Sequence, residues 1–395
     1  MFKEKNLLVL SHTYNSFIKD PVEILSQEFN RVYVLVRYQP IAELSRYLPL
    51  SYFKSRSRFS KEQSFDLSNL PNNVEVIPLP LWYFPVKSKY FDVGKKHAKA
   101  ALKMIKRKNI TFDLIHSHFL WSAGYAAMKV KEQYNKPLVV TGHGYDIYDL
   151  PYRDERLKEG IQEVLKSADR VLTVSKKNRK DIKRLDEEKR VEVFPNGYSS
   201  SLFYHIDKEA SRKKLDVATN KKVLLTVGSL ETVKGYEYLV KAIMIVKEKY
   251  PDVLLVHIGG GSLEKKLKEM IKELGLEKNI ILLGRKPHSE LVDYLGACDM
   301  FVSSSLSEGN PTVMFESLAC GKPFVETKAG GIPDVITSEK YGYLCEPKDE
   351  KALANNILQA IDTQWDSKEI LEYAKQFSWE NICKSILDIY REVLK

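Results

Sequence analysis

The stretch MFVSSSLSEGNPTVMFESLACGKPFVE, residues 300–326, places a strand, a loop, a helix and a second strand in close succession. Met300–Val302 and Phe324–Glu326 are short and apolar, as strands covered on both faces are. Helical spacing runs from Thr312 to Cys320, with Pro311 where a first helical position is expected and a Gly-Lys-Pro stop after it. Strand, helix and strand in this order predict a parallel pair with a crossover helix.

The same alternation extends outward over most of the chain. Strand-like runs and helical patterns alternate between residues 6 and 194, and the pattern restarts between residues 223 and 361. Pro195–Ala218 has weak periodicity and an Asn-Gly turn, so it is the best linker candidate. A chain of 395 residues is also too long for one core, since single cores stop growing at roughly 250–300 residues. The predicted fold class is α/β, with two Rossmann-like, doubly wound parallel-sheet domains that face a cleft.

The composition excludes several classes of protein. With 44% hydrophobic and 29% charged residues, the chain is not collagen-like, coiled-coil or largely disordered. No apolar run reaches the roughly 18 residues that a membrane helix needs. Met1–Leu10 lacks the long apolar core of a signal peptide, so we expect a cytoplasmic protein. The four cysteines match no metal-binding spacing and are expected to be buried free thiols.

The positive charge is concentrated in the first half of the chain. Residues 1–198 contain 35 Lys and Arg against 23 Asp and Glu, a net charge of +12, whereas the remaining residues carry −2. Two basic stretches stand out, the aromatic-rich Gln39–Asn73 and the helical pattern Val93–Lys108 with its lead-in Lys87–Tyr90. We expect this half to meet an anionic partner such as the inner face of a membrane. The alternative is a solvated, Lys-rich surface. No nucleic-acid-binding module is recognisable, so nucleic acid is not an expected partner.

The loop and helix of residues 307–323 have the features of an anion site. Backbone amides at a helix start, near Asn310–Val313, attract an anion. Glu316 lies just over one turn inside this helix, where its carboxylate can accept hydrogen bonds from two vicinal hydroxyls of a ribose. Glu308 precedes the helix and would lie over a group attached to the phosphates. The alternative is a capped core helix with two solvated glutamates.

Three histidines lie at predicted strand ends. His116 and His118 are two residues apart, so their side chains point the same way. A metal would need further ligands, and none is spaced to help, so these two are expected to line a polar cleft. His143 follows the strand Pro137–Thr141, and the carboxyl ends of parallel strands form the ligand crevice. The alternative for His143 is a satisfied structural histidine.

These motifs resemble the donor-site signature of retaining GT-B glycosyltransferases of family 4. Glu308 and Glu316 are separated by seven residues, and Gly-Gly-Ile-Pro-Asp follows at residues 330–334. The resemblance covers most of the chain through further matches at Val227–Gly235, Phe194–Gly197, Thr141–His143 and Phe377–Trp379. It implies an acceptor-side domain of residues 1–197, a donor-binding domain of residues 198–377, and a final helix, 378–395, that crosses back onto the first domain.

The resemblance also implies a reaction, in which a sugar moves from a nucleotide-diphospho-sugar to an acceptor hydroxyl with retention of anomeric configuration. Glu308, His143 and Lys234 would be catalytic: they would position the sugar hydroxyls, face the transferred sugar and stabilise the diphosphate, respectively. The implied donor-binding residues are Gly228, Ser229, Lys234, Arg285, Asn310, Pro311, Thr312, Val313 and Glu316. The implied acceptor-side residues are His118 and Asp146. The acceptor would be a glycan, a lipid-linked sugar or a small molecule, as in polysaccharide or glycolipid biosynthesis.

No resident cofactor or metal is expected. Many sugar transferases stabilise the departing diphosphate with a metal held by an Asp-x-Asp pair, and this sequence contains no such pair. Lys234 and the amides near Thr312 would supply the positive charge instead. The sequence departs from the family at Ser229, where a second basic residue is common and for which Arg285 is the candidate substitute. It departs again at Ser11–Asn15, a loop that lacks the family's Gly-Gly pair.

Two other functions stay open at this point. A sugar-nucleotide epimerase on the same two-domain plan would need no acceptor and would convert the donor into its isomer. A non-catalytic relative would bind glycans or a partner transferase, and Ser229 is the feature that favours it. Donor binding and turnover, measured with and without acceptors, distinguish the three.

Overall fold

A computed structural model describes residues 2–43, 60–83, 90–218 and 220–395 of the chain. The chain divides into two compact units, residues 1–195 with 379–395 and residues 196–378. Much of the basic, aromatic stretch predicted to meet an anionic partner (residues 44–59), together with Lys87 and Lys89, lies outside the described residues.

The amino-terminal unit is built on a parallel sheet with seven strands in the described ranges. These are β1 Asn6–Ser11, β2 Arg31–Tyr38, β3 Val74–Pro80, β4 Leu114–His118, β5 Leu138–Gly142, β6 Arg170–Thr173 and β7 Val191–Val193. Their order is β3-β2-β1-β4-β5-β6-β7, so the direction of winding reverses between β1 and β4. In open parallel sheets, ligands bind beyond the carboxyl ends of the strands at such a reversal.

Helices cover both faces of this sheet. In chain order they are α1 Ser16–Ser26, α2 Pro40–Glu43, α3 Lys61–Ser64, α4 Tyr90–Arg107, α5 Tyr125–Tyr134, α6 Tyr145–Tyr148, α7 Glu155–Ser167 and α8 Lys176–Leu185. Alternate residues of β1 enter two separate cores: Leu8 and Leu10 pack on the side of α4 and α5, whereas Leu7 and Val9 pack on the side of α1. Burial on both faces explains why the strands are almost continuously apolar.

The carboxy-terminal unit repeats the plan. Its strands are β8 Val223–Val227, β9 Leu254–Ile258, β10 Ile280–Leu282, β11 Met300–Val302, β12 Phe324–Thr327 and β13 Gly342–Cys345. They are parallel and follow the order β10-β9-β8-β11-β12-β13, with the reversal between β8 and β11. The predicted fold class of two Rossmann-like, doubly wound parallel-sheet domains is confirmed.

The helices of this unit are α9 Lys208–Lys214, α10 Tyr236–Lys249, α11 Glu264–Glu273, α12 Leu291–Ala297, α13 Thr312–Ala319, α14 Ile332–Val335, α15 Glu350–Asp362 and α16 Ser367–Ala374. Four elements of this unit, α9, α14, α16 and β13, were not predicted. The linker candidate contains α9, whose seven residues carry little apolar pattern, and whose start is capped by the Asp207 carboxylate. The edge strand β13 and the helix α16 are short, so each has too few residues to show a period.

The last helix, α17 Trp379–Val393, packs on α1 of the amino-terminal unit. Its predicted apolar stripe is buried, including Trp379, Ile382 and Ile386. All four cysteines are buried and free, as predicted. Within the described ranges, every helix is too short or too polar to cross a membrane.

Candidate active site

The loop between β11 and α13 is held by hydrogen bonds within the carboxy-terminal unit. The Asn310 side-chain oxygen accepts from the Asn196 amide at 3.0 Å, and the Asn196 side chain donates to the Asn310 carbonyl at 2.6 Å. The helix begins at Thr312, so Pro311 is the cap residue and not, as predicted, the first helical residue. These two hydrogen bonds hold the loop that leads into the helix start predicted to bind an anion.

Lys234 and Glu308, which are 74 residues apart in the chain, are in direct contact. The Lys234 ammonium lies 2.5 Å from Oε1 of Glu308, and the Ser305 hydroxyl donates to the same oxygen at 2.7 Å. Ser304 in turn donates to the carbonyl oxygens of Lys234 and Gly235, at 3.1 and 2.9 Å. The structure therefore brings together two of the three residues predicted to be catalytic, at the carboxyl ends of β8 and β11.

Gly235 permits this close approach of the two loops. Its φ is +61°, and a Cβ atom there would lie 2.3 Å from the Ser304 carbonyl oxygen. A larger residue would have to displace backbone, because the nearest atom is a backbone oxygen and not the end of a flexible side chain. The geometry that places Lys234 thus requires a glycine at position 235.

A second carboxylate near Glu308, that of Glu326, was not predicted. Glu326 is 2% exposed, and its Oε1 accepts hydrogen bonds from the backbone amides of Ser305 and Thr327, at 2.8 and 3.2 Å. Burial, with the nearby charge of Glu308, raises the pKa of Glu326 to about 7. An acid at the end of an otherwise apolar strand was the available signal in the sequence.

Glu316, on α13, is 3% exposed and has a histidine partner. Nε2 of His288 lies 3.0 Å from Oε1 of Glu316, and the His288 ring packs 5.0 Å from the ring of Phe203. His288 was not predicted, because its contact with α13 is set by tertiary packing and not by spacing. A carboxylate has two acceptor oxygens, so Oε2 of Glu316 could accept the hydroxyl contacts that the sequence suggested for this residue.

Gly228 and Ser229 follow β8, and Arg285 lies near them. The Gly228 amide donates to the Ile258 carbonyl at 3.0 Å, and Gly259 approaches Gly228 so closely that a Cβ there would lie 1.9 Å from its carbonyl oxygen. Ser229 and Arg285 are exposed. Arg285 lies over Gly260, with Cγ 3.7 Å from the position that a Cβ would take. Arg285 is thus placed beside the loop that carries Ser229.

At the carboxyl edge of the amino-terminal sheet, three histidines form a chain of contacts. Nδ1 of His118 lies 3.1 Å from Nε2 of His143, and the rings of His116 and His118 stack with centroids 4.4 Å apart. Burial lowers the pKa of His118 to about 3 and lowers the pKa of His143 well below its ordinary value. These imidazoles are therefore neutral at physiological pH. Among the described residues, no group of three or more His, Cys, Asp or Glu side chains could hold a metal ion.

Asp146 shapes the loop that carries His143. It is 1% exposed, and its carboxylate accepts hydrogen bonds from the backbone amides of Leu120, His143 and Gly144, at 2.6, 3.1 and 3.0 Å. Burial raises the pKa of Asp146 and these amide bonds oppose the rise. With its carboxylate committed to backbone amides, Asp146 orients His143, while His118 contacts that histidine directly.

Two family profiles match the chain, one for each unit. The profile described as Glycosyltransferase Family 4 matches residues 30–202, and that described as Glycosyl transferases group 1 matches residues 207–377. Among curated relatives, TuaC of Bacillus subtilis (strain 168), named for a glycosyltransferase of teichuronic acid biosynthesis, is 32% identical over 275 residues. That alignment covers 69% of this chain and 67% of TuaC.

Solved structures share the fold over nearly the whole chain. Sucrose-phosphate synthase from Thermosynechococcus elongatus has a TM-score of 0.79 at 22% identity and covers 98% of this chain and 99% of its own. Anabaena HepE, solved in complex with UDP-glucose, has a TM-score of 0.71 at 21% identity and covers 98% and 100%. With both profiles matched and the two doubly wound sheets in place, the chain belongs to glycosyltransferase family 4 and is a glycosyltransferase of the GT-B fold.

Proposed function

We propose that the protein transfers a hexosyl group from a nucleotide-diphospho-sugar to an acceptor hydroxyl, with retention of anomeric configuration. One observation carries the donor assignment: the contact between Lys234 and Glu308 beside the start of α13. A cation and a carboxylate at this edge of the sheet offer complementary partners, the first for the diphosphate and the second for sugar hydroxyls.

Lys234 is proposed to stabilise the leaving group without a resident metal. When the bond between the anomeric carbon and the phosphate oxygen breaks, negative charge grows on the diphosphate. The ammonium of Lys234 supplies one positive charge, and the amides at the start of α13 supply the positive end of a helix dipole. In the free protein Glu308 neutralises Lys234, so the diphosphate would replace a carboxylate as its partner.

The two site glutamates are proposed to contact different parts of the donor. Glu316, oriented by His288 at 3.0 Å, accepts hydrogen bonds from the ribose hydroxyls. Glu308 accepts them from the sugar. The family resemblance assigns His143 a contact with the transferred sugar, and this stays a prediction. Retention would follow from a same-face displacement in which the acceptor oxygen bonds the anomeric carbon and its proton passes to the departing phosphate oxygen.

The donor is proposed to be a uridine diphosphate sugar, because the structural relative HepE was solved with UDP-glucose. Thermal unfolding with UDP, GDP and ADP sugars tests this, since a ligand of the folded state raises the melting temperature by mass action. Turnover is then measured as nucleoside diphosphate release across an acceptor panel. Acceptor-dependent release supports the transferase. An isomeric nucleotide sugar formed from donor alone would show an epimerase, and binding without turnover across the panel would show a non-catalytic relative.

We also propose that the protein is cytoplasmic and that its amino-terminal unit docks on the anionic inner face of a membrane, where a lipid-linked acceptor would be found. Helix α4 buries Val93, His97 and Ala101 and exposes its basic side chains to solvent. The exposed basic residues of this helix are Lys95, Lys96, Lys99, Lys103, Lys106 and Arg107. Each basic group near an anionic leaflet contributes about 1 kcal/mol of binding.

Co-sedimentation with phosphatidylcholine vesicles, with and without phosphatidylglycerol, tests the docking. We expect binding to the anionic vesicles that decreases with salt and is weakened by replacing Lys95, Lys99 and Lys103 with Gln. Replacing Lys265, Lys266 and Lys268, exposed lysines of α11 in the other unit, is the matched control. Absence of binding at low ionic strength would contradict the docking and leave a soluble acceptor.

A further inference from the structure

The carboxyl edge of the amino-terminal sheet contains a buried arginine for which the described side chains supply no acidic partner. Arg37, next to last in β2, is 7% exposed. Within the described ranges it has no Asp or Glu ion-pair partner, and its Nη1 atom has no hydrogen-bond partner. The segments 44–59 and 84–89 contain neither Asp nor Glu. A buried charge is strongly unfavourable unless it is paired, and the side chains that the structure describes leave Arg37 without a negatively charged partner.

The groups around Arg37 keep it charged without neutralising it. Burial alone would lower its pKa, but Tyr90 and Tyr83 outweigh burial and the pKa is raised. Burial raises the pKa of the neighbouring Tyr145 to about 12, so this hydroxyl is neutral at physiological pH. The phenols offer dipoles, and the full positive charge remains available to a ligand.

Strand alternation places Arg37 on a defined face of the sheet. Tyr33 and Leu35 of β2 pack in the core on the side of α4 and α5, and Arg37 continues this row. His12, directly after β1, continues the row of Leu8 and Leu10 on the same face. Arg37 and His12 thus extend neighbouring strands beyond the apolar core, at the edge where ligands bind in open parallel sheets.

A second polar atom without a hydrogen-bond partner among the described residues, Nε2 of His97, lies near Arg37. His97 of α4 is fully buried, its Nδ1 lies 3.0 Å from the Ser122 hydroxyl, and its Nε2 has no hydrogen-bond partner among the described residues. The Ser122 amide donates to Nε2 of His12 at 3.0 Å, so one residue fixes both imidazoles. Burial, and then the charge of Arg37, lowers the pKa of both, to about 3 for His97. Both rings are neutral, and a neutral His97 that accepts from Ser122 carries its proton on the unpartnered Nε2.

We propose that Arg37 binds an anionic group of the acceptor, a phosphate or a carboxylate, with Nε2 of His97 as a further donor. The guanidinium presents its donors in a fork that matches these anions with two parallel hydrogen bonds. Naming the anion as part of the acceptor rests on the proposed function, whereas the anion site itself rests on the unpaired guanidinium. The acceptor is thereby an acidic or phosphorylated compound and not a neutral sugar.

The same chemistry is found in a soluble sugar phosphate or uronic acid and in a lipid phosphate. Thermal unfolding and calorimetric titration with glucose 6-phosphate, glucuronic acid and inorganic phosphate, each against glucose at matched ionic strength, test the soluble source. Vesicles of phosphatidylcholine with phosphatidic acid, against phosphatidylcholine alone, test the lipid source. Stronger binding or stabilisation by the anionic probes than by their neutral counterparts supports the anion site. Whether the soluble probes or the vesicles give this result identifies the source of the anion.

Arg37→Gln is the decisive variant, and Arg31→Gln is its matched control, because Arg31 is an exposed residue at the opposite end of the same strand. We expect Arg37→Gln to weaken the binding of the phosphate probe at least about tenfold and Arg31→Gln to leave it unchanged. Arg37→Lys keeps the charge but not the fork, so it should bind with intermediate affinity. Without ligand, Arg37→Gln should melt at or above the wild-type temperature, because it removes an unpaired buried charge.

Three results would overturn the inference: no anionic probe binds better than its neutral counterpart, Arg37→Gln keeps the anion response, or Arg37→Gln melts far below the wild type. Stabilisation of Arg37→Gln by UDP-glucose, to the wild-type extent, shows that the donor unit is intact. If the wild type binds phosphate but no nucleotide sugar, the proposed function fails and the anion site stands. If it binds nucleotide sugar but no acidic probe, only the anion site fails.

Discussion

The carboxyl edges of the two sheets differ in whether their charged side chains contact a partner of opposite charge or a hydrogen-bonding partner within the described chain. In the carboxy-terminal unit the chain supplies its own partners: Lys234 contacts Glu308, and His288 contacts Glu316. In the amino-terminal unit the edge carries neutral imidazoles, and Arg37 has no acidic partner in the described ranges. Under the proposed function, the first edge is preassembled for the sugar donor. The second edge offers the guanidinium of Arg37 to an anionic acceptor.

The carboxyl edge of the carboxy-terminal sheet, with its Lys234–Glu308 and His288–Glu316 contacts, is called the paired edge below, and that of the amino-terminal sheet the unpaired edge. The largest expected effect tests whether the paired edge is catalytic or only structural. Lys234→Ala should lower turnover by roughly 10²–10³, the scale for removing one preorganised stabiliser of developing charge. Lys249→Ala, which removes an exposed lysine paired with Asp362 at 2.8 Å, is the matched control. Steady-state kinetics with saturating acceptor measure both. A loss of stability with unchanged kcat would reduce the contact with Glu308 to a structural ion pair.

The same assay with a chelator tests the metal-free proposal. We expect Lys234-dependent turnover to survive EDTA. Complete loss on chelation, restored by Mn²⁺ or Mg²⁺, would show that a metal supplies the charge assigned to Lys234.

The second prediction concerns the buried carboxylate of the paired edge. Because the pKa of Glu326 in the folded protein, about 7, exceeds its ordinary value of 4.5, the folded state binds more protons between these values. The stability from this group is fully present below pH 4.5 and is lost as pH rises through 7, by about 3 kcal/mol. Glu326→Gln, which resembles the protonated acid, should remove this dependence of the free energy of unfolding on pH.

Urea unfolding at pH 5 and pH 8 gives the free energy of unfolding of the variant and of the wild type. The change between the two pH values is then compared between the two proteins. Glu346→Gln, at an exposed acid that pairs with Lys328, is the control. If the free energies of unfolding of the wild type and of Glu326→Gln change in parallel across this pH range, Glu326 is ionised in the folded protein.

The third prediction separates the two glutamates of the signature. Glu316→Gln should weaken donor binding by about 1.5–3 kcal/mol, the value of hydrogen bonds to a charged acceptor, because Glu316 is assigned to the ribose. Glu308→Gln should mainly lower turnover, because Glu308 is assigned to the sugar beside Lys234. Titration with the nucleotide sugar and kinetic measurement distinguish the two. Equal and negligible effects of both changes would remove the donor site from this edge.

The sequence predicted the paired edge better than the unpaired one, for a physical reason. Glu308 and Glu316 lie on one loop and helix, so local spacing predicts their placement, and the βα alternation predicts both sheets. His288 and Glu326 were missed because their contacts and burial depend on chain segments far apart. The sequence shows a basic residue at position 37 but not its burial among side chains that, as far as the structure describes them, include no acidic partner, because both depend on tertiary structure.

The smallest expected effect probes Ser229, the position where the family resemblance implied a second basic residue. Ser229 is exposed after β8, and Arg285 lies over Gly260 of the neighbouring loop. Ser229→Arg adds a long, flexible side chain at an exposed site, so the fold should tolerate it within about 0.5 kcal/mol. Its guanidinium can reach a diphosphate, so donor affinity should stay equal or rise a few-fold.

Titration with UDP-glucose measures the donor affinity of Ser229→Arg, with Arg285→Gln as the companion variant. If Arg285 serves as the second cation, Arg285→Gln weakens donor binding and the added Ser229→Arg restores it. A large loss of donor affinity in folded Ser229→Arg would show that this loop is shaped around serine, and that even the preassembled edge differs from the family's donor site.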